Sequence, residues 1–267
     1  MEMIVIFVCG STFFPSIFLL SKRILVLFTV CRLENNAIYA ISVSCVSALQ
    51  AVLSCLVGAT IVIHCQNDIM KDRHWLTNAY AAFAMPYFYY DIWAMCQAHL
   101  QQHPEVQKKG RVFAMKHFFY QNQLIVLHHL FCPLVLAPAI LFFRHGIGDF
   151  FVGVLYLIEL STPFLSARNI MKQLNMKDSK AYLIVGLLMV STFFVCRILI
   201  FPFLYWKYSQ HAGIPVGQVP WSIPMKCTAG CLVVLAPQVY WFGLMFQNCL
   251  CQLHTSTVHI FPMLIRR

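Results

Sequence analysis

The chain has 267 residues, of which 60% are hydrophobic and only 10% are charged. A soluble domain carries roughly 45–50% apolar and about 25% charged residues, so this composition excludes a water-soluble globular protein. A formal net charge of +10 would suggest a nucleic-acid partner for a soluble protein. In a membrane protein it indicates basic loops at the anionic cytosolic leaflet, and we expect no nucleic-acid partner.

Seven apolar segments approach or reach the length of about 20 residues that a helix needs to cross a bilayer. They are residues 3–20, 37–63, 80–98, 123–143, 149–167, 181–205 and 227–250. The first segment has no early basic residue and no clean cleavage site, so it is predicted to be a retained helix rather than a signal peptide.

These segments predict an all-α, polytopic membrane bundle of about seven transmembrane helices. The apolar stretch from Ile24 to Cys31 is too short to span and is expected to lie along the membrane interface. The predicted organisation is a first helix with this interfacial segment over 1–33, one membrane domain over 34–251 and a cytosolic tail over 252–267.

The basic residues of the loops predict the orientation of the bundle. The first, third and fifth loops and the tail contain thirteen Lys and Arg residues: Lys22, Arg23, Arg32, Lys108, Lys109, Arg111, Lys116, Arg168, Lys172, Lys177, Lys180, Arg266 and Arg267. The even loops contain five: Lys71, Arg73, Arg144, Lys207 and Lys226. Because positive loops face the cytosol, we expect the odd loops and the C-terminus there and the N-terminus outside or in a lumen.

A few ionisable residues lie inside the predicted membrane helices: Asp91, His128, His129, Glu159 and Arg197. A charge at the bilayer centre costs on the order of 3 kcal/mol or more, so such residues usually face the bundle interior and often serve function. Asp149 lies at a helix end, where water is expected to hydrate it.

The surroundings of Asp91 and Arg197 allow structural and functional interpretations. Tyr87 precedes Asp91 by one helical turn on the same face, so its hydroxyl is expected to hydrogen-bond the carboxylate. Asp91 is either a functional group or half of a buried pair, with Arg197 as a candidate partner. Arg197 needs a carboxylate or several carbonyls, or else contacts a phosphate or a thioester oxyanion.

The paired histidines and Glu159 are the candidate catalytic groups. His128 and His129 differ by about 100° around the helix, so one is expected to face a reaction centre and the other a neighbouring helix or the interface. Which of the two faces the centre stays open. Glu159 and Tyr156 belong to a polar stripe on the fifth helix. The expected partner of Glu159 is a histidine of the fourth helix or Arg197.

Several segments together resemble the TLC-domain family of ceramide synthases and translocating-chain-associated membrane proteins. They are LHHLFCPLVLAPAILFFRHGIGDFFVGVLYLIELSTPF (Leu127–Phe164), HWL (His74–Leu76), PYFYYD (Pro86–Asp91), CRILIFPFLYW (Cys196–Trp206) and APQVYWF (Ala236–Phe242). GDFF, ELSTPF and APQVYWF are similar to the subfamily of TLC domain-containing protein 3, also called family with sequence similarity 57. The resemblance covers about residues 10–250.

The resemblance implies helices around a long, lipid-sized cavity and N-acylation of a sphingoid base by a fatty acyl-CoA. Acyl-CoA is then a co-substrate, and no other cofactor and no metal is expected. His128 and His129 match the paired histidines of the synthases, and Glu159 matches the second Asp of their next motif. Leu155 and Tyr156 stand where the synthases have His and Asp.

The implied chemistry needs a base for the amine proton and stabilisation of an oxyanion. A histidine can act as that base, or attack the thioester first, with Glu159 orienting the imidazole. Asp91, Tyr87, Tyr156 and Arg197 are the expected binding residues.

The leading hypothesis is therefore an acyltransferase of ceramide biosynthesis, or a protein that directly supports ceramide formation. The alternatives are a non-catalytic lipid-binding or lipid-sensing protein and a membrane chaperone. The resemblance favours the endoplasmic reticulum, with the Golgi and plasma membrane as alternatives. It leaves a homo- or hetero-oligomer open.

Overall fold

The computed structural model describes residues 1–28 and 33–264, with side chains through residue 252. Within these residues the regular structure is entirely helical, which confirms the predicted all-α class. Residues 29–31 of the predicted interfacial stretch lie outside the described residues, as do Arg32, Arg266 and Arg267. Ile24–Phe28 continue the first helix instead of forming a separate segment.

The described helices are joined by short loops and turns. The α-helices are α1 (Glu2–Phe28), α2 (Asn35–His64), α3 (Leu76–Gln102), α4 (Pro104–Gln107), α5 (Arg111–Gln121), α6 (Gln123–Phe131), α7 (Asp149–Tyr156), α8 (Thr162–Gln173), α9 (Lys180–Phe193), α10 (Ile200–Ala212), α11 (Val219–Ser222) and α12 (Met225–Leu264). Wider π turns occupy Cys132–Leu136, Ala139–Phe143 and Phe194–Ile198, and narrower 3₁₀ turns occupy Leu157–Ser161 and Val216–Gln218.

Six helical segments among the described residues are long and apolar enough to cross a membrane. They are Glu2–Phe28, Asn35–His64, Gln123–Phe143, Asp149–Gln173, Lys180–Ala212 and Met225–Gln252. The seventh predicted segment, 80–98, lies within α3, which has sufficient length at 27 residues. Its tyrosines, amides and Asp91 lower its mean hydropathy, and several of these polar residues, among them Tyr87 and Asp91, are buried. The chain is thus a multi-pass membrane protein.

The first compact unit comprises Met1–Leu157 and contains α1 to α7. Helices α1, α2 and α3 pack on one another, and α7 packs on α2. Gly58 of α2 allows this last approach: a Cβ there would lie 2.6 Å from the carbonyl oxygen of Gly153. The close contact of two helix backbones at small residues is a common form of packing in membranes.

Asp149 stabilises one end of this unit, and the expectation that water hydrates it is wrong. Its side chain is only 3% exposed, and it forms an ion pair with Arg144. Its Oδ2 also accepts hydrogen bonds from the His74 backbone N–H at 2.8 Å and the Thr77 hydroxyl at 2.9 Å. The loop before α7 folds back far enough to bring Arg144 to Asp149, so protein donors replace water.

The second compact unit comprises Ile158–Arg267 and contains α8 to α12. Helix α9 packs against α8 and against α12. Met189, Val190 and Cys249 form a buried apolar cluster, which Phe164 and Phe242 flank.

Candidate functional site

The first unit contains a buried contact between a carboxylate and an imidazole. Asp91 on α3 and His129 on α6 are 4% and 9% exposed. Asp91 Oδ2 lies 3.2 Å from His129 Nδ1. A buried carboxylate is stable only with compensating partners, so this proximity explains how α3 tolerates an Asp inside an apolar bundle.

Tyr87 and Ser47 extend this contact into a chain of polar groups. The Tyr87 hydroxyl donates to Ser47 Oγ at 3.2 Å, and the Ser47 hydroxyl donates to Asp91 Oδ1 at 3.4 Å. Ser47 of α2 thus links the Tyr87 hydroxyl to the Asp91 carboxylate. The direct bond that the sequence predicts between Tyr87 and Asp91 stays a prediction. The two oxygens of the carboxylate therefore face different elements, Ser47 of α2 and His129 of α6.

The backbone after His129 departs from regular α-helix. Pro133 has no N–H, so the carbonyl of His129, four residues earlier, loses its usual helical donor. From Cys132 the helix continues with π turns, in which Ala137 N–H bonds to the carbonyl of Cys132. Such turns frequently occur at functional sites, where they reorient side chains relative to a regular helix.

His128 has a different environment from His129. It is half-buried, and the centroids of the two imidazole rings are 5.7 Å apart. This difference in burial agrees with the expected angle between neighbours on a helix. His129 is the histidine that shares a buried cluster with Asp91, Ser47 and Tyr87.

The second unit contains a separate cluster centred on Arg197. Its Nη2 lies 3.2 Å from Glu159 Oε2 and donates to the Thr162 hydroxyl at 2.9 Å. Thr162 in turn donates to Glu159 at 2.6 Å, and Arg197 Nε donates to Ser161 Oγ at 2.9 Å. The sequence predicts either Arg197 or a histidine of the fourth helix as the partner of Glu159, and Arg197 contacts it here.

Gln238 completes this cluster from α12. It is fully buried, and its Oε1 accepts from Arg197 Nη1 at 3.3 Å. Arg197 itself lies in the π turn Phe194–Ile198, four residues before Phe201 and five before Pro202. The positive charge is thus balanced by Glu159 and surrounded by neutral acceptors, an arrangement suited to holding helices together.

The structure brings together some of the predicted site residues. Tyr87, Asp91 and His129 meet in the first unit, and Glu159 and Arg197 meet in the second. Tyr156 belongs to the first unit and donates its hydroxyl to the backbone carbonyl of Thr77 at 2.8 Å. A contact between a histidine and Glu159 stays a prediction, as does the lipid-sized cavity.

Ser47, Ser161 and Gln238 were not identified from the sequence. Ser47 carries a recognisable signal, because Ser47, Gln50 and Ser54 recur at helical spacing on one face of α2, and each of them bonds another helix. Gln238 carries a recognisable signal, because it is an amide within an otherwise apolar segment of α12. A polar residue at such a position usually has a partner on another helix.

The two clusters are differently suited to chemistry. An imidazole beside a carboxylate can accept a proton and return it, with the carboxylate stabilising the charged ring. Glu159 already holds a hydroxyl donor and a guanidinium, which favours a structural role for the second cluster.

The comparison with known families gives one match. The TLC domain model covers residues 40–247, which include both polar clusters. No solved structure matches the chain. TLC domains are found in ceramide synthases and in related lipid-handling membrane proteins. Because this match covers most of the length of the chain, the chain belongs to the TLC-domain family.

Proposed function

We propose that the protein is a ceramide-synthase-like membrane enzyme that transfers a fatty acyl group from acyl-CoA to the amine of a sphingoid base. The observation that carries this proposal is the 3.2 Å contact between His129 Nδ1 and Asp91 Oδ2, buried within an apolar bundle. His129 is the general base, and Asp91 orients its ring. We also propose that the protein belongs to the subfamily of TLC domain-containing protein 3 and that it resides in the endoplasmic reticulum.

The reaction exchanges one acyl bond for another. The amine nitrogen attacks the thioester carbonyl and forms the C–N bond, while His129 takes the proton that the nitrogen loses. The C–S bond then breaks, and the departing CoA sulfur recovers that proton from the imidazole. Because Asp91 contacts Nδ1, the proton passes through Nε2. The products are an amide and free CoA.

Asp91 assists by stabilising the charged ring. A carboxylate beside Nδ1 favours the tautomer with a proton on that nitrogen, and it offsets the positive charge that appears when Nε2 is protonated. Ser47 and Tyr87 hold the carboxylate in turn through their hydroxyls. This assignment gives Asp91 the role that the sequence suggested for Glu159.

A test uses the full chain in liposomes with a fatty acyl-CoA and a sphingoid base. We expect the wild type to form the amide, His129→Ala to lower the rate by about 10²- to 10⁴-fold, and His128→Ala to have a smaller effect. His211→Ala is the matched control, because His211 is exposed. Equal rates for the wild type and a folded His129→Ala variant would refute catalysis by His129.

A non-catalytic lipid-binding protein is the second candidate function. The observation in its favour is that Glu159 is held by Arg197 and Thr162, so one of the expected catalytic groups is engaged in a structural cluster. In this case the wild type binds lipids but forms no amide. The liposome assay separates the two functions when lipid binding is measured on the same preparation.

A further inference from the structure

Two buried tyrosine hydroxyls in the first unit lack a protein partner. Tyr39 on α2 and Tyr90 on α3 are 6% and 9% exposed, and neither hydroxyl makes a hydrogen bond within the described part of the chain. Tyr156 is different, because its hydroxyl bonds to the Thr77 carbonyl. Buried polar groups are usually satisfied, so an exception requires an explanation.

The two rings lie in one apolar cluster. Both contact Phe18, with ring centroids 4.9 Å from Tyr39 and 6.3 Å from Tyr90. The other buried residues of this cluster are Phe14, Val46, Tyr87 and Ala94. Tyr87 is the other residue of this cluster with a polar side chain, and its hydroxyl donates to Ser47. The packed neighbours therefore do not explain the hydroxyls of Tyr39 and Tyr90. They are, however, suitable for contact with a hydrocarbon chain.

The cluster adjoins the candidate catalytic contact. Tyr90 precedes Asp91 in sequence, and the Tyr87 ring lies near both Tyr90 and His129. Its centroid is 6.5 Å from the Tyr90 ring and 6.5 Å from the His129 ring. A molecule whose amine reaches His129 can therefore extend along the Tyr87 ring toward Tyr90, and Tyr39 contacts the same phenylalanine ring as Tyr90.

We infer that Tyr39 and Tyr90 bind the hydroxyl groups of a long-chain amino alcohol whose amine is the acyl acceptor. This inference rests on the proposed function of His129. A phenol both donates and accepts a hydrogen bond, as an alcohol does, so the two groups are complementary. The Asp91 carboxylate, which follows Tyr90 directly in sequence, disfavours an anionic phosphate headgroup here. Tyr39 and Tyr90 are thus specificity-determining residues for the acceptor lipid.

The test removes only the hydroxyls, through Tyr39→Phe, Tyr90→Phe and the double variant. Binding to the full-length, reconstituted protein is measured for two amines of equal chain length, an amino diol and a plain alkylamine. For the wild type we expect tighter binding of the amino diol, by roughly a factor of five to ten for each hydroxyl bond formed. The double variant should bind the two amines equally. Tyr89→Phe on the same helix is the control, because Tyr89 is exposed.

Two results would overturn the inference. One is a double variant that retains the preference of the wild type for the amino diol. The other is a double variant that is more stable to heat and has unchanged affinity for both amines. In that case the buried hydroxyls only destabilise the folded protein or bind buried water.

Amide formation is assayed separately on the wild type. If the wild type forms no amide but binds the amino diol more tightly than the alkylamine, and the variants lose this difference, the proposed function is rejected and the hydroxyl-binding site is retained. Amide formation without any hydroxyl preference rejects this inference alone.

Discussion

The Asp91 carboxylate lies between His129 on one side and Ser47 on the other. Its Oδ2 is 3.2 Å from the imidazole Nδ1, and its Oδ1 accepts the Ser47 hydroxyl at 3.4 Å. One acidic side chain therefore connects α2, α3 and α6 in the interior of the first unit. Removing its charge while keeping its shape tests whether this connection serves catalysis or packing alone.

Asp91→Asn is expected to preserve the fold and lower the rate of amide formation by about 10²- to 10⁴-fold. The amide keeps the volume of the side chain, but it has no charge to stabilise a protonated His129. The measurement is the rate per folded protein, with folding checked by thermal unfolding. Asp178→Asn changes an exposed carboxylate and serves as the control. A normal rate for Asp91→Asn would show that the carboxylate only supports packing.

Arg197→Met is expected to destabilise the second unit by about 3 kcal/mol, at the low end of the range for a buried pair that loses one partner. The low end applies because the Glu159 side chain is 22% exposed. The double variant Arg197→Met with Glu159→Gln should recover part of the loss, since no charge is then left unpaired. Chemical unfolding in detergent measures both, with Lys172→Met as the exposed control. A double variant no more stable than the single one would contradict the prediction.

The sequence was sufficient to predict the apolar helices, and three of the ionisable residues that it placed inside them, Asp91, His129 and Arg197, are buried. Apolar length identifies a spanning helix directly, because the bilayer sets that length. Helical spacing also put Tyr87 and Asp91 on one face. Even α3 was identified, although its tyrosines and Asp91 reduce its hydropathy.

Partners on other helices were harder to predict, because spacing along one helix says nothing about the neighbour that it meets. Ser47 of α2, whose hydroxyl donates to Asp91 Oδ1, was not identified from the sequence. Asp149 was expected to contact water, but Arg144 folds back across a short glycine-containing loop to reach it. Ser47 lies 44 residues from Asp91. Thr77, which also donates to Asp149, lies 72 residues from it, so these two contacts depend on the packing of helices. The contact of Arg144 with Asp149 depends instead on the conformation of one short loop.

Gly58→Ala is expected to destabilise the first unit by about 1–3 kcal/mol, since the added methyl would collide with the Gly153 carbonyl 2.6 Å away. A backbone atom cannot move aside as a flexible side chain can, so α2 and α7 must separate. Gly243→Ala on α12 is the matched control, because a Cβ there meets nothing within 4 Å. It should be neutral or stabilising by about 0.5–1 kcal/mol. Similar unfolding temperatures for the two variants would exclude a packing role for Gly58.

Acidification is expected to destabilise the protein through His99, which follows the predicted membrane segment 80–98. Its Nε2 lies 3.0 Å from His117 Nδ1, and its ring centroid is 4.5 Å from that of His103. Burial, and then the neighbouring His103 and His117, lower the pKa of His99, while Glu105 opposes this in part. The unfolded chain therefore binds a proton more readily than the folded one, so stability is retained above the ordinary histidine pKa of about 6.5 and lost as the pH falls below it.

His99→Gln should reduce the fall in unfolding temperature between about pH 7.5 and pH 5.5, whereas substitution of the exposed His211 should leave it unchanged. An identical fall in the wild type and His99→Gln would assign the acid sensitivity to other groups.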